Sequence, residues 1–171
     1  MANMLQSNPA SSKSTVFSDD EIAHTGKLII RPMEERDREE IRAVLQYEHK
    51  QTIYRNQPFS DWKYDRHVNE VLSKPPRMGC LVAELKGAAI GVAWAGADSY
   101  MLSDGPLFVT VYGLAVEMQG LSALRRAKAF VSLVKGVRRW AKSMNASHTF
   151  IHVTTGTNLK STDKLLRAAG A

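Results

Sequence analysis

The chain has one cysteine, Cys80, among 171 residues, so neither an internal disulfide framework nor a cysteine-built zinc site is open to it. Its apolar runs are short. None approaches the roughly 18 residues of a membrane span, which excludes a helical membrane protein. The amino terminus lacks a basic start followed by an apolar core, and no arginine precedes Arg31, so neither a secretory signal nor a mitochondrial presequence is expected. Acid is missing from one long stretch, with no Asp or Glu between Met118 and Thr162. What is present is 44% apolar residues and 23 basic against 17 acidic side chains, a net charge of +6. This fits a single globular domain with a real core and an appended tail. The charge points to an anionic partner: phosphates, nucleic acid or an acidic protein surface.

Residues 1–26 form a separate arm, rich in serine (Ser7, Ser11, Ser12, Ser14, Ser18) with Asn8-Pro9 and Asp19-Asp20-Glu21. It reads either as a flexible tail or as an arm ordered by a partner. The domain proper spans 27–171. Lys27–Arg31 predicts a strand ended by Pro32, and Asp37 with Glu40 predicts a capping box opening a helix with Ile41, Val44 and Leu45 inward. A second helix is expected from Ser60 to Ser73, with Trp62, Val68, Val71 and Leu72 inward and Pro75-Pro76 behind it. Cys80–Leu85 and Ala88–Ala95 predict a hairpin turning at Lys86-Gly87, and 96–106 a loop. Leu107–Val116 is a strand with a bulge or close approach at Gly113. A long helix over 121–145, a strand over 148–154 and a helix over 158–169 complete a mixed α/β order without internal repeats.

That order, with its landmarks, resembles the GNAT superfamily of acyl-CoA-dependent N-acyltransferases. Leu28-Ile29-Ile30-Arg31-Pro32 is similar to the family's first strand, Leu81–Gly91 to its second and third strands, and Leu114-Ala115-Val116 to the end of its fourth. Asn158 and Leu165–Ala171 are similar to its closing segment. The resemblance implies a five-stranded mixed sheet with helices on both faces, acetyl-CoA as co-substrate and no metal. It also implies thioester binding by backbone N–H groups near Leu114 and Val116, and pyrophosphate binding by a loop of Arg/Gln-x-x-Gly-x-Gly/Ala type opening the long helix. Two alignments of that loop are open. Counting back from the helix end gives Arg126-Ala127-Lys128-Ala129-Phe130-Val131; counting forward from Val116 gives Gln119-Gly120-Leu121-Ser122-Ala123-Leu124. Both lack the key glycines. On the first, Arg125, Arg126, Ala127, Lys128 and Ala129 would meet the phosphates, with Asn158 completing the site.

The resemblance further places the family's proton-donating tyrosine at Leu166, which has no proton to give. Glu117, with Tyr112 nearby, is the nearest carboxylate for a base. The leucine there, and Gly170-Ala171 for Gly-Phe, resemble GNAT-like proteins of tailed bacteriophages, some virion-associated. The expected location is therefore a bacterial cytoplasm or a phage particle.

The long helix is the strongest physical signal. Arg125, Arg126, Lys128, Lys135, Arg138, Arg139 and Lys142 give it seven positive charges. Arg125, Lys128, Ser132, Lys135, Arg139 and Lys142 recur at three- and four-residue spacing and share a face, opposite Ala127, Phe130, Val131, Val134, Val137, Ala141 and Met144. His148 and His152 alternate with Phe150, too far apart for one metal ion. Cys80 reads as a small core residue, and Thr154–Asn158 either as a pocket rim or as a turn and cap.

Three functions are consistent with these residues. One is a GNAT relative with a degraded phosphate loop and no catalytic tyrosine. The second is a non-catalytic assembly protein, and the third a nucleic-acid-binding module using the basic helix. GNAT proteins continue past the closing segment with two more strands, whereas this sequence stops at Ala171. The strand at 148–154 is thus expected to have an open edge that the arm, a second subunit or another protein would pair.

Overall fold

The computed structural model describes residues 26–102, 104–117, 119–154 and 159–170. The arm over 1–25 and the expected positions of Asn158 and the 155–157 turn lie outside the described residues. Five strands, β1 (Leu28–Pro32), β2 (Met78–Leu85), β3 (Ala88–Asp98), β4 (Phe108–Val116) and β5 (His148–Ile151), form one sheet in that order. The first four are antiparallel, and β5 runs parallel to β4. Helices α1 (Arg38–His49) and α2 (Asp61–Leu72) cover one face, and α3 (Ala123–Ser143) the other. The last helix, α4 (Leu159–Ala168), docks on α3, where Arg138 Nη1 donates to Ala169 O at 2.6 Å.

β3 explains the layering. Its sequence, AAIGVAWAGAD, is buried without interruption from Ala89 to Ala97, and small residues there let helices press on both faces. Gly136 does the same from the helix side, since a Cβ would sit 2.9 Å from Leu81 and 3.0 Å from Ile30. The β2–β3 hairpin turns at Lys86 (φ +55°) and Gly87 (φ +85°), the left-handed pair of a type I′ turn.

Four local expectations are corrected. β3 runs three residues beyond Ala95, to Asp98, shortening the loop that follows. β5 ends at Ile151, not at Thr154, because its pairing with β4 stops at Val111. Trp62 is 62% exposed instead of inward; Tyr64 takes the buried position, its hydroxyl donating to Arg38 O at 2.6 Å. Trp62 instead carries Arg66 5.0 Å over its ring.

The capping box is also displaced. It joins Glu34 to Asp37 across a 3-10 turn (Glu35–Asp37), with Glu34 N donating to Asp37 at 2.8 Å, while Glu40 accepts from Ala89 N at 2.6 Å. Asp37 is buried because Arg31 grips it with two bonds of 2.7 Å and reaches Glu84 with its Nε at 2.7 Å. This triad ties β1, β2 and the start of α1 together.

Candidate functional site

Glycine opens the site in the middle of β4. Trp94 pairs with Gly113 and Ala95 with Val111, so Tyr112 is the extra residue of a bulge. Its side chain lies across β3, where a Cβ on Gly96 would meet the Tyr112 hydroxyl at 2.7 Å. Beyond the bulge, β4 has no partner on its β5 side among the described residues, since the parallel pairing covers only Phe108–Val111.

Backbone phase says what faces this open edge. Glu117 N donates to Ile90 O at 2.7 Å, toward β3. N–H directions alternate along a strand, so Ala115 also faces β3 while Leu114 and Val116 present their N–H groups to the opening. The two β4 residues named from sequence therefore stand where a carbonyl oxygen could be held.

Next along the chain is the loop 117–122, whose Gly120 adopts φ +74°. Helix α3 then starts at Ala123, two residues later than expected, and ends at Ser143. Its N-cap is Ser122, whose Oγ accepts from Arg125 N at 3.4 Å. The helix therefore satisfies one of its own free N–H groups. This start bears on the two loop alignments. Ala127, Lys128 and Ala129 lie inside the helix, and Ala129 is completely buried against the sheet, so it cannot approach a phosphate. Gln119–Leu124, the other alignment, runs through the turn before α3 into its first residues, with Ser122 as the cap and Leu124 80% exposed. Arg125 and Lys128 are exposed, and Arg126 Nη1 turns back to Leu121 O at 3.3 Å.

Glu117 is engaged elsewhere: its carboxylate accepts from Gln119 N at 2.7 Å and shapes the loop. The sequence reading missed a different carboxylate, Glu48. It falls on the inward stripe of α1 with Ile41 and Val44, is half-buried, and its carboxylate has no ion pair or hydrogen bond among the described residues. Burial raises its pKa above the usual carboxylate range. The segment after α1 reaches across to the chain three residues beyond β5, where Ile53 N donates to Thr154 O at 3.1 Å. An acid at the i+7 position of an apolar stripe was the available signal.

Raised pKa means that the folded state disfavours ionised Glu48. That penalty is absent at low pH and is complete once pH exceeds the raised value. Glu48→Gln is therefore expected to raise the melting temperature at pH 7 and to leave it unchanged near pH 3.5, checked by thermal melts at both.

Among the described residues no group of His, Cys, Asp and Glu is arranged to hold a metal, and no helix is long and apolar enough to cross a membrane. Cys80 is buried, with its Sγ 3.6 Å from Met33 Sδ. His148 and Phe150 stack at 6.1 Å on the outside of β5.

No protein-family model and no curated protein matches the sequence. Solved structures do. An aminoglycoside N-acetyltransferase in complex with CoA superposes with a TM-score of 0.61 at 20% identity, over 85% of this chain and 88% of that one. The fold is that of the GNAT acetyltransferases. The glucosamine-6-phosphate N-acetyltransferase of Arabidopsis thaliana matches this GNAT architecture with a TM-score of 0.62 at 14% identity, over 85% and 91% of the two chains. A transcriptional regulator from Bacillus halodurans C-125 does so with a TM-score of 0.65 at 18% identity, over 82% and 91%. The narrower likeness to bacteriophage proteins finds no support among these neighbours.

Proposed function

We propose that this chain is a relative of the acyl-CoA-dependent N-acetyltransferases that keeps the thioester cleft and has lost most of the cofactor grip. Acetyl-CoA binds weakly and acetyl transfer is slow. The observation that carries this reading is the start of α3. There Ser122 caps the helix itself and Leu124 stands on the first turn, where a phosphate would need bare backbone N–H groups. Leu114 and Val116 still supply N–H groups to hold the acetyl carbonyl oxygen. Arg125 and Lys128 give the phosphates charge attraction without a cradle. Aminoglycoside and glucosamine-phosphate acceptors belong to the neighbours; here only an amine is proposed.

In the transfer, an amine nitrogen attacks the acetyl carbon, the C–S bond breaks, and the thiolate takes a proton. Leu166, on α4, cannot provide that proton. Glu48, half-buried on the last turn of α1, would take the proton that the attacking amine gives up. Assaying CoA thiol release with a panel of amines tests the reading. Leu166→Tyr is expected to raise the rate by about 10²-fold or more with little change in acetyl-CoA affinity. Glu48→Gln is expected to stabilise the fold while lowering transfer. A wild-type rate already matched by the Leu166→Tyr variant would contradict the role given to position 166.

A second reading, a protein of an assembly, draws on β5. No strand pairs with its outer edge among the described residues, and Phe150 stands half-exposed there beside Phe108 and His148. The chain is then expected to self-associate. Light scattering would report a dimer or larger, and amides of Thr149–Ile151 would gain exchange protection with concentration. A monomer with protected amides at those positions would rule it out.

A further inference from the structure

The cations of β1 and α1 and those of α3 are partnered differently. On the α1–α2 face, Arg31, Arg36, Arg38 and Arg42 are all paired with Glu34, Glu35, Asp37, Glu39, Asp61, Asp65 or Glu84. The outer side of α3 differs. Arg125, Lys128, Lys135, Arg139 and Lys142 line the outer side of a 21-residue helix, about 30 Å long, and none makes an ion pair among the described residues. Two further cations extend the row beyond the helix. Lys27 and Lys86 join Arg125 and Lys128 around a groove of about 490 Å³ floored by Leu28 and Leu85. Lys86 sits at φ +55°, a turn position where asparagine or glycine would be the unstrained choice, so its side chain is displayed at a conformational cost.

Seven like charges in one track repel one another, and a linear polyanion relieves that repulsion along the whole length. The rest of the face says which polyanion. Along α3 the exposed large apolar residue is Leu124, too little for insertion into a lipid surface. Trp140 is tucked against Gly79, where a Cβ would touch its ring at 3.0 Å, so it offers no platform for stacking unpaired bases. We infer that the outer face of α3, with Lys27 and Lys86, binds the phosphate backbone of double-stranded nucleic acid without reading its sequence. This binding shares Arg125 and Lys128 with the acetyl-CoA reading but needs neither the β4 edge nor the N–H groups at the start of α3, and Lys135 and Arg139 have no part in that reading.

The experiment is fluorescence anisotropy of the full chain with a labelled random-sequence 20-bp DNA duplex at several salt concentrations. Binding is expected at 50 mM salt, with log K falling against log salt at a slope of about −4 to −5, as for about five neutralised phosphates. Lys135→Glu with Arg139→Glu is expected to weaken binding at least tenfold and to reduce the slope by about 2. Lys63→Glu with Arg66→Glu, the same charge change on α2, is expected to leave affinity within twofold. Far-ultraviolet circular dichroism establishes that both variants fold. Absence of binding at 50 mM salt, equal losses in the two variants, or tighter binding of polyglutamate than of the duplex would each overturn the inference.

Discussion

Asp37→Ala is expected to destabilise the protein by about 3–5 kcal/mol, the largest stability loss of any single substitution considered. Asp37 is almost fully buried and Arg31 nearly so. Removing the carboxylate leaves a mostly buried guanidinium held only by Glu84 at 2.7 Å, the Pro32 carbonyl at 3.1 Å and Glu34 at 3.8 Å, together with the orphaned Glu34 N–H. For a domain of this size the melting temperature should fall by roughly 6–20 °C. Replacing the pair with apolar residues, Arg31→Met with Asp37→Leu, should cost less than Asp37→Ala alone, since no charge is then stranded. Glu35→Ala, which removes an exposed partner of Arg38, should cost under about 1 kcal/mol.

The same group gives a pH signature. Burial raises the pKa of Asp37, the largest single influence, but the Arg31 bonds and the Glu34 N–H together carry it below the ordinary value. A lowered folded pKa means that stability is present above the unfolded value, about 3.9, and is lost as pH falls through the folded one. Acid should therefore destabilise the wild type more steeply below pH 4 than it destabilises Asp37→Asn.

Restoring glycine to the α3 start is expected to produce the largest functional change. Ser122→Gly with Leu124→Gly should tighten acetyl-CoA binding at least tenfold. It removes the oxygen that caps the helix and the side chain that blocks approach to the N–H groups. The variant should also be less stable. Serine to glycine at an N-cap costs a few tenths of a kcal/mol, and glycine within a helix about 1 kcal/mol. Tighter binding in a less stable protein would separate the loop effect from any general stabilisation. Unchanged affinity would mean that these side chains are not what limits binding.

Much of the architecture was legible because its signals were local. Lys86-Gly87 between two apolar runs marked the hairpin, Gly113 marked the bulge, and the three- and four-residue spacing of cations gave the outer face of α3. Misreadings arose where tertiary partners decide. Asp37 has the residue type and spacing of a helix cap, but Arg31 from β1 claims its carboxylate, and Glu34 supplies the capping box instead. Trp62 looked inward by hydrophobicity, yet Tyr64 fills that place because its hydroxyl finds Arg38 O. The start of α3 could not be fixed by counting along the sequence. Arg126–Val131 and Gln119–Leu124 fit equally by counting, and only the fold shows that Ser122 caps α3 and that Ala129 is buried. Glu48 was overlooked because its half-buried, partnerless state depends on what packs around α1, not on its immediate neighbours.

Isothermal titration of the 171-residue chain with acetyl-CoA tests most directly whether the cleft has lost its phosphate grip. The expected result is weak heat with no saturation in the low micromolar range. A one-to-one isotherm saturating at low micromolar acetyl-CoA would contradict it.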